Sequence, residues 1–397
     1  MTDLRPASLR LIEPDFVDRV PAPAYDLMGP LERQARLEAN PDSYLAVTRS
    51  QEDDPASTPA DILRQSRAAL DRLLRMGAFG PRQRDRLFLY RLEVEDHSQT
   101  GIVAELAVEA VRRRRLKPHE QIFPERAELL AEHLQVVGAQ SSPIAVAHAP
   151  LPELARLVAS ITETHPPLLD FRGADGLRQT IWSFPHPEAL GLLGDRPLYL
   201  LDGHHRAAAA QAHADRTAAG PADPASWLLA TLFPTDSLRI YGFDRRVLDP
   251  RHSTDECLAR IGHEVALEPI DRAFRPTLGT ELGVYAAGRW YRATLEPLAE
   301  GALSRLAPVL LQARVLEPVF GIVDPQSDYR LDHLPAARDA AALAADTDDN
   351  GGVLFTLAPI TAEQLMTVAD EGQVLPPKST FLTPKVRSGL FLRELTG

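Results

Sequence analysis

The sequence predicts an α+β fold, and three observations support it. Strand-type runs come in hairpin pairs, 86–94 with 101–108 and 168–171 with 179–184, rather than alternating one by one with helices. Helical stretches of ordinary length lie between and after them, bounded by proline, glycine or a capping residue. No self-similarity recurs at a solenoid period. With 397 residues, 44% hydrophobic and 25% charged, the chain has the make-up of a globular protein with two or three cores. The expected division is an N-terminal segment over 1–85 packing on a central domain, 86–250, with a second α+β domain over 251–397.

In order, the chain opens on proline-punctuated extended sequence around Val20–Leu27, and a helix is expected from about Pro30 to Ala39, stopped by Asn40-Pro41. Gln51–Pro59 is polar and reads as loop. Asp61–Met76 carries Ile62, Leu63, Leu70, Leu73 and Leu74 at helical spacing and closes at Gly77. Arg86–Val94 and Gly101–Val108 predict a hairpin across a turn at 95–100. An extended run at 116–120 leads to a helix over about 125–137, ended by Gly138, and then to a strand at 143–147. The second hairpin, 168–171 with 179–184, turns around Gly173–Gly176. Trp227–Phe233 is an unbroken apolar run, the pattern of a buried central strand. A strand near 238–241 follows the break at Pro234. Beyond Arg251 the expectations are a helix at 255–261, a hairpin across 286–288 and a one-sided helix over 306–319. A loop at 346–352 and a helix from Thr361 to Asp370 follow, and from Leu375 the chain is proline-rich and basic.

Functional interest gathers at 198–210. Leu198–Leu201 is a short apolar strand, the alanines after Arg206 are strong helix formers, and Asp202-Gly203 is the turn between them. Asp202, His204, His205 and Arg206 therefore crowd a helix N-terminus, where unpaired amides and the dipole favour an anion. Arg206 brings a fork of donors matched to phosphate, and Gly203 lets the backbone approach a ligand with no Cβ in the way. The plainer alternative is a helix capped by Asp202 with histidines decorating its first turn. A metal site on the histidine pair is the weaker idea, because adjacent residues of a helix point in different directions.

The net charge of −12, from 43 basic and 55 acidic residues, argues against nucleic acid as a bulk partner. Arg112–Arg115 is the local exception, read as a solvated basic turn or as a platform for an acidic ligand. Cys257 is the only cysteine, which excludes a disulfide framework and a thiolate cluster. The first twenty residues lack a signal-peptide pattern and no stretch has the length of a membrane span, so a cytoplasmic protein is expected.

Three further segments stand out: Pro23-Ala24-Tyr25-Asp26, Pro118-His119-Glu120, and Pro376-Pro377-Lys378-Ser379-Thr380-Phe381 followed by Pro384-Lys385 and Gly389-Leu390. With Asp202–Arg206 they resemble, in order and nearly end to end, a bacterial and archaeal family long labelled as a domain of unknown function, whose signature is Asp-Gly-His-His-Arg. The middle third also resembles the ParB/sulfiredoxin superfamily, in its extended Pro-x-Glu approach, glycine-ended helix, Pro-Ile strand and strand-turn-helix. That resemblance implies a central ParB/sulfiredoxin-like nucleotide-binding domain with an N-terminal extension and a second, C-terminal α+β domain. Within the superfamily the chain is most similar in its chemistry-bearing residues to the free serine kinases, which hold nucleotide phosphates on such a turn and use an upstream glutamate as base. Two departures accompany it. Ala207 stands where many family members have an aromatic, and the acidic-basic cluster after His-Glu is shortened to Glu125-Arg126.

The resemblance implies phosphoryl transfer from a nucleotide, ATP or ADP, to the hydroxyl of a small serine-like acceptor. Glu120, Asp202 and His205 are the catalytic candidates, with Glu120 as base and Asp202 as a ligand for Mg²⁺. Gly203, His204, His205 and Arg206 would bind phosphate. Lys378, Ser379 and Lys385 would close over the nucleotide, or else lie solvated on a terminal strand. His119, Tyr25 and Asp26 are candidates for contact with substrate; the alternatives are a surface histidine, a core-anchoring tyrosine and a turn-capping aspartate. Glu120 also has a plain alternative, stabilising the helix that follows it. The expected partners are a nucleotide and a small hydroxyl-bearing substrate, without nucleic acid or membrane, and a homodimer is left open. Beside the kinase stand two other classes: a nucleotide-gated switch without transfer chemistry, and a metal-dependent hydrolase.

Overall fold

The computed structural model describes residues 3–395, a mixed α/β structure with helices and several sheets. The chain divides into two compact units: Met1–Pro118 with Ile122–Leu238 and Pro384–Gly397, and His119–Gln121 with Arg239–Thr383.

The first unit is built on one large sheet. Its order runs Leu116–Lys117, Leu198–Asp202, Ile144–His148, Trp227–Pro234, His97–Ala107, Gln83–Val94, Ala7–Leu11, Phe391–Glu394, Ala139–Gln140. Arg178–Phe184 adds antiparallel to Gln83–Val94 and carries Leu169–Arg172 in turn. Trp227–Pro234 is buried up to its final proline, as an unbroken apolar run requires when both faces are covered. The strand bearing the candidate turn, Leu198–Asp202, lies parallel to Leu116–Lys117 and antiparallel to Ile144–His148. Leu198 and Leu200 share one core with Leu89, Ile102, Val146, Leu228 and the helix residues Ala207 and Ala210.

The helices Pro30–Ala39, Pro59–Arg75, Pro124–Val137 and His204–Arg216 fall where the spacing predicts them. The first hairpin is longer than expected. Its ladder continues to Val94 opposite His97, so the turn shrinks to Glu95-Asp96. Polar Gln99 reads as turn but is buried in the strand, where its Nε2 donates to the Pro384 carbonyl at 2.9 Å. Pro152–Thr164 is a helix with no counterpart in the sequence reading, although Leu154, Leu157, Val158 and Ile161 form its apolar stripe. The basic run is an exposed turn at Arg112, Arg113 and Arg114, as expected, and most of it is also ion-paired. Arg113 and Arg115 hold Asp3, at 2.5 and 3.1 Å, and Arg112 holds Glu109 and Asp215.

The second unit carries a six-stranded antiparallel sheet in the order Leu267–Ile270, Arg289–Thr294, Glu281–Ala286, Val353–Leu357, Phe243–Val247, Leu331–Pro335. Cys257 and Ile261 of helix Thr254–Glu264 meet Leu310, Val315, Phe320 and Phe355 in its core. The one-sided helix spans 307–320 with a π-helical stretch at Gln312–Leu316. The expected loop at 346–352 is overturned: helix Ala340–Asn350 runs through it and only Gly351 and Gly352 turn the chain. Asp339 caps the alanine-rich start by accepting from the Ala341 and Ala342 amides, at 2.9 and 3.2 Å. Arg246 pairs with Asp346 at 3.0 Å in the last turns, and these local terms outweigh the polar look of the segment. Among the described residues no helix is long and apolar enough to cross a membrane.

Candidate functional site

Strand Leu198–Asp202 passes into helix His204–Arg216 through Gly203, at φ 95° and ψ 32°. A Cβ at Gly203 would lie 2.8 Å from Ile144 Cγ2 and 3.0 Å from Arg206 Cζ, so both conformation and space demand glycine. The Asp202 carboxylate accepts from Lys385 Nζ at 2.7 Å through Oδ1 and from Arg206 Nη2 through Oδ2. Arg206 Nη1 also donates to the carbonyls of Ser142 and Pro143, at 2.7 and 2.5 Å. Burial by itself pushes the Asp202 carboxyl up. The charges of Lys385 and Arg206, with His204 beside them, outweigh burial and hold the group well below the usual carboxylate range. One carboxylate thus holds two cations at the positive end of a helix dipole, an end that favours an anion.

The two histidines of the turn have different surroundings. His204 is buried. His205 stacks on Phe123, with centroids 5.8 Å apart and planes 7° from parallel, and its Nε2 accepts the Phe123 N–H at 3.1 Å. Phe123 precedes helix Pro124–Val137, and sequence reasoning missed it; the signal was an exposed aromatic directly before a helix-opening proline. Ala207 is buried in the sheet core, a position too tight for an aromatic without repacking.

His119, Glu120, Lys378 and Ser379 belong to the second unit, whereas Lys385 belongs to the first. His119 is fully buried, which overturns the surface alternative. Its Nε2 lies 3.3 Å from Thr380 Oγ1 and 3.9 Å from Glu120 Oε1, and its carbonyl accepts the Leu375 N–H at 2.8 Å. Glu120 keeps 42% of its side chain exposed. Ser379 is buried and its Oγ donates to the Pro376 carbonyl at 2.7 Å, closing the turn. Lys378 sits at φ 55° on that turn, with its carbonyl held at 2.9 Å and that of Pro377 at 3.3 Å by Arg245 Nη2. Burial, then the charges of Arg245 and Lys378, push the His333 imidazole down to about 3. Lys385 is not solvated: its side chain is 9% exposed and ion-paired.

The Tyr25 and Ser50 hydroxyls lie 2.5 Å apart; Tyr25 also donates to Asp53 at 2.9 Å, and Arg33 stacks 3.7 Å over its ring. Tyr25 is thus half-buried in a polar network with Ser50, Asp53 and Arg33. Asp26 lies in the turn Tyr25–Leu27, and its side chain is outside the described residues. Among the described residues no three His, Cys, Asp or Glu side chains are grouped to hold a metal ion. Asp202 does not fit a resident magnesium ion, because both of its oxygens already hold cations.

The family model described as "Protein of unknown function (DUF1015)" matches residues 4–312. No curated protein matches the chain. Among solved structures, a free serine kinase mutant in complex with AMP is similar at 13% identity and TM-score 0.41, covering 74% of this chain and 92% of that one. A conserved hypothetical protein from Pyrococcus furiosus is similar at 14% identity and TM-score 0.38, covering 74% and 95%. SbnI with a C-terminal truncation, from Staphylococcus aureus, is similar at 12% identity and TM-score 0.39, covering 72% and 85%.

Proposed function

The chain belongs to the DUF1015 family of proteins of unknown function, and we propose that it binds a nucleotide by its phosphates at the Asp202–Arg206 turn and transfers a phosphoryl group to a small serine-like hydroxyl. One observation carries the reading: Arg206 and Lys385 converge on one mostly buried carboxylate at the N-terminus of helix His204–Arg216, where Gly203 leaves the backbone bare. In this reading the nucleotide-binding part is ParB/sulfiredoxin-like and centred on 86–250, and the bulk of 251–397 forms the second domain, with the residues from Pro384 returning to the first unit.

Asp202 holds the two cations in place, and they neutralise the phosphates together with the helix N-terminus. Asp202, with both oxygens engaged by cations, acts through Lys385 and Arg206 and not through a metal ion. His205, with Nε2 committed to Phe123, acts as a positioning residue. Glu120 takes the acceptor's proton as its oxygen attacks the terminal phosphorus, and the bond from that phosphorus to the departing nucleotide breaks. Buried His119 orients Glu120, and Lys378 adds positive charge from its constrained turn.

Two variants test the proposal. Arg206→Ala should weaken nucleotide binding by roughly 1.5–3 kcal/mol in a folded protein. Glu120→Gln should leave nucleotide affinity nearly intact but cut transfer by roughly 10²-fold or more, followed by mass-spectrometric detection of phosphorylated hydroxy amino acids. Wild-type affinity in folded Arg206→Ala would remove the phosphate site. Nucleotide binding without product across a broad acceptor panel would leave a switch in place of a kinase.

A further inference from the structure

A second cluster of arginines lies elsewhere in the first unit and shares no residue with the Asp202 turn. It surrounds a cavity of about 210 Å³ whose walls include Arg5, Arg82, Arg393, Asp85, Glu105 and Glu394. Glu105 is buried, and its carboxylate is already fully engaged. Arg5 Nη2 lies at 2.7 Å, Arg393 Nε at 2.9 Å, and the Ser8 amide donates to it at 3.0 Å. Burial raises the Glu105 carboxyl, but Arg393, the Ser8 amide and Arg5 together hold it below its ordinary value, so it stays charged. Glu394 is matched by Arg10 at 3.2 Å, and Asp85 is exposed.

Arg82 is the remainder of this arrangement. It makes no ion pair among the described residues, and its Nε is buried without a hydrogen-bond partner. Burial lowers the Arg393 guanidinium, Glu105 opposes that shift, and Arg5 and Arg82 add to it last. Three guanidinium groups therefore line one cavity around a single buried carboxylate. A buried donor left unsatisfied is costly, and a partial charge surplus beside it calls for an anion.

We infer that this cavity binds a phosphate-class oxyanion, such as a phosphate monoester headgroup. Arg393 spends its donors on Glu105, Gln140 and the Pro224 carbonyl, so the anion would be held by Arg82 with the part-exposed Arg5 beside it, and it balances the charge of Arg82. The two come from different segments of the chain: Arg5 ends the strand Leu4–Arg5, and Arg82 directly precedes strand Gln83–Val94. An anion held there ties the N-terminal strand to the start of strand Gln83–Val94. It should therefore stabilise the first unit as well as bind.

The inference is independent of the proposed kinase site, and the test keeps them apart. Equilibrium dialysis of the full chain against labelled inorganic phosphate is run in an Arg206→Ala background, with and without Arg82→Gln. Phosphate should bind the background protein and raise its melting temperature. Arg82→Gln should weaken that binding roughly tenfold or more and abolish the temperature rise, with an unchanged melting temperature in phosphate-free buffer. Arg82→Lys, which keeps the charge and loses the fork, should bind with intermediate affinity; it also serves as the reporter if Arg82→Gln does not fold. Equal phosphate binding with and without Arg82 overturns the inference. Tighter binding of succinate than of phosphate overturns the assignment to a phosphate-class ligand.

Discussion

Gly203 shows how much a single position decides. Its φ of 95° belongs to the left-handed region, and an added methyl would press on Ile144 and on the guanidinium of Arg206. Gly203→Ala should therefore do two things. Backbone strain should lower stability by about 1–2 kcal/mol, read from the urea midpoint. Displacement of Arg206 should weaken nucleotide binding out of proportion to that loss, read by titration of the folded variant. Unchanged affinity would mean that the turn does not present Arg206 to a ligand. The neighbouring ion pairs follow the same local logic. Asp202 is held by Lys385 and Arg206, whereas His205 stacks on Phe123.

Among the elements, helix starts are governed by side chains just outside the apolar stripe. Pro59–Arg75 begins two residues before the first expected position because Thr58 caps it and Pro59 fits the first helical turn. Thr58 Oγ1 accepts the Asp61 amide at 3.2 Å, and the Asp61 carboxylate accepts the Thr58 amide at 3.2 Å. Thr58→Ala should cost about 1 kcal/mol in chemical denaturation, and Thr58→Ser should recover most of it. No loss in Thr58→Ala would show that tertiary packing alone holds this helix start. The same device opens the helices Thr254–Glu264 and Ala362–Asp370, through Ser253 and Thr361. Thr361 was legible as a cap from the sequence, whereas Asp339 was masked by the acidic look of 346–349.

At the scale of the molecule, buried histidines set the acid limb of stability. Burial lowers His133, His148 and His213 in the first unit and His333 in the second, the last to about 3. Each is neutral when folded and takes up a proton near 6.5 when unfolded. The unfolded chain therefore binds more protons below that value. The stability is fully present above about pH 6.5 and is lost as pH falls toward the folded values. The depressed Asp202 carboxyl does not contribute in this window, since its share is lost only in far stronger acid. Urea melts at pH 7, 6 and 5 should show the midpoint falling in steps from pH 7 downward. A flat profile to pH 5 would show that the four imidazoles are hydrated in the folded protein.

The strand, glycine turn and alanine-rich helix at 198–216 were determined by the sequence itself, as were the helices ended by Gly77 and Gly138 and the buried strand Trp227–Pro234. Each rests on preferences acting within a few residues: apolar runs, left-handed glycine and caps. Only the tertiary structure decided what meets that turn. Lys385 reaches Asp202 across 183 residues, Phe123 reaches His205 across 82, and Arg393 reaches Glu105 across 288. Those partners follow from strand order, because Phe391–Glu394 joins the sheet beside Ala7–Leu11 and brings the C-terminal residues into the first unit. Spacing along the chain carries no trace of that pairing. Ion pairs form between whichever charges the sheet brings within a few ångströms, and the sheet order is settled by the burial of both faces rather than by any local segment.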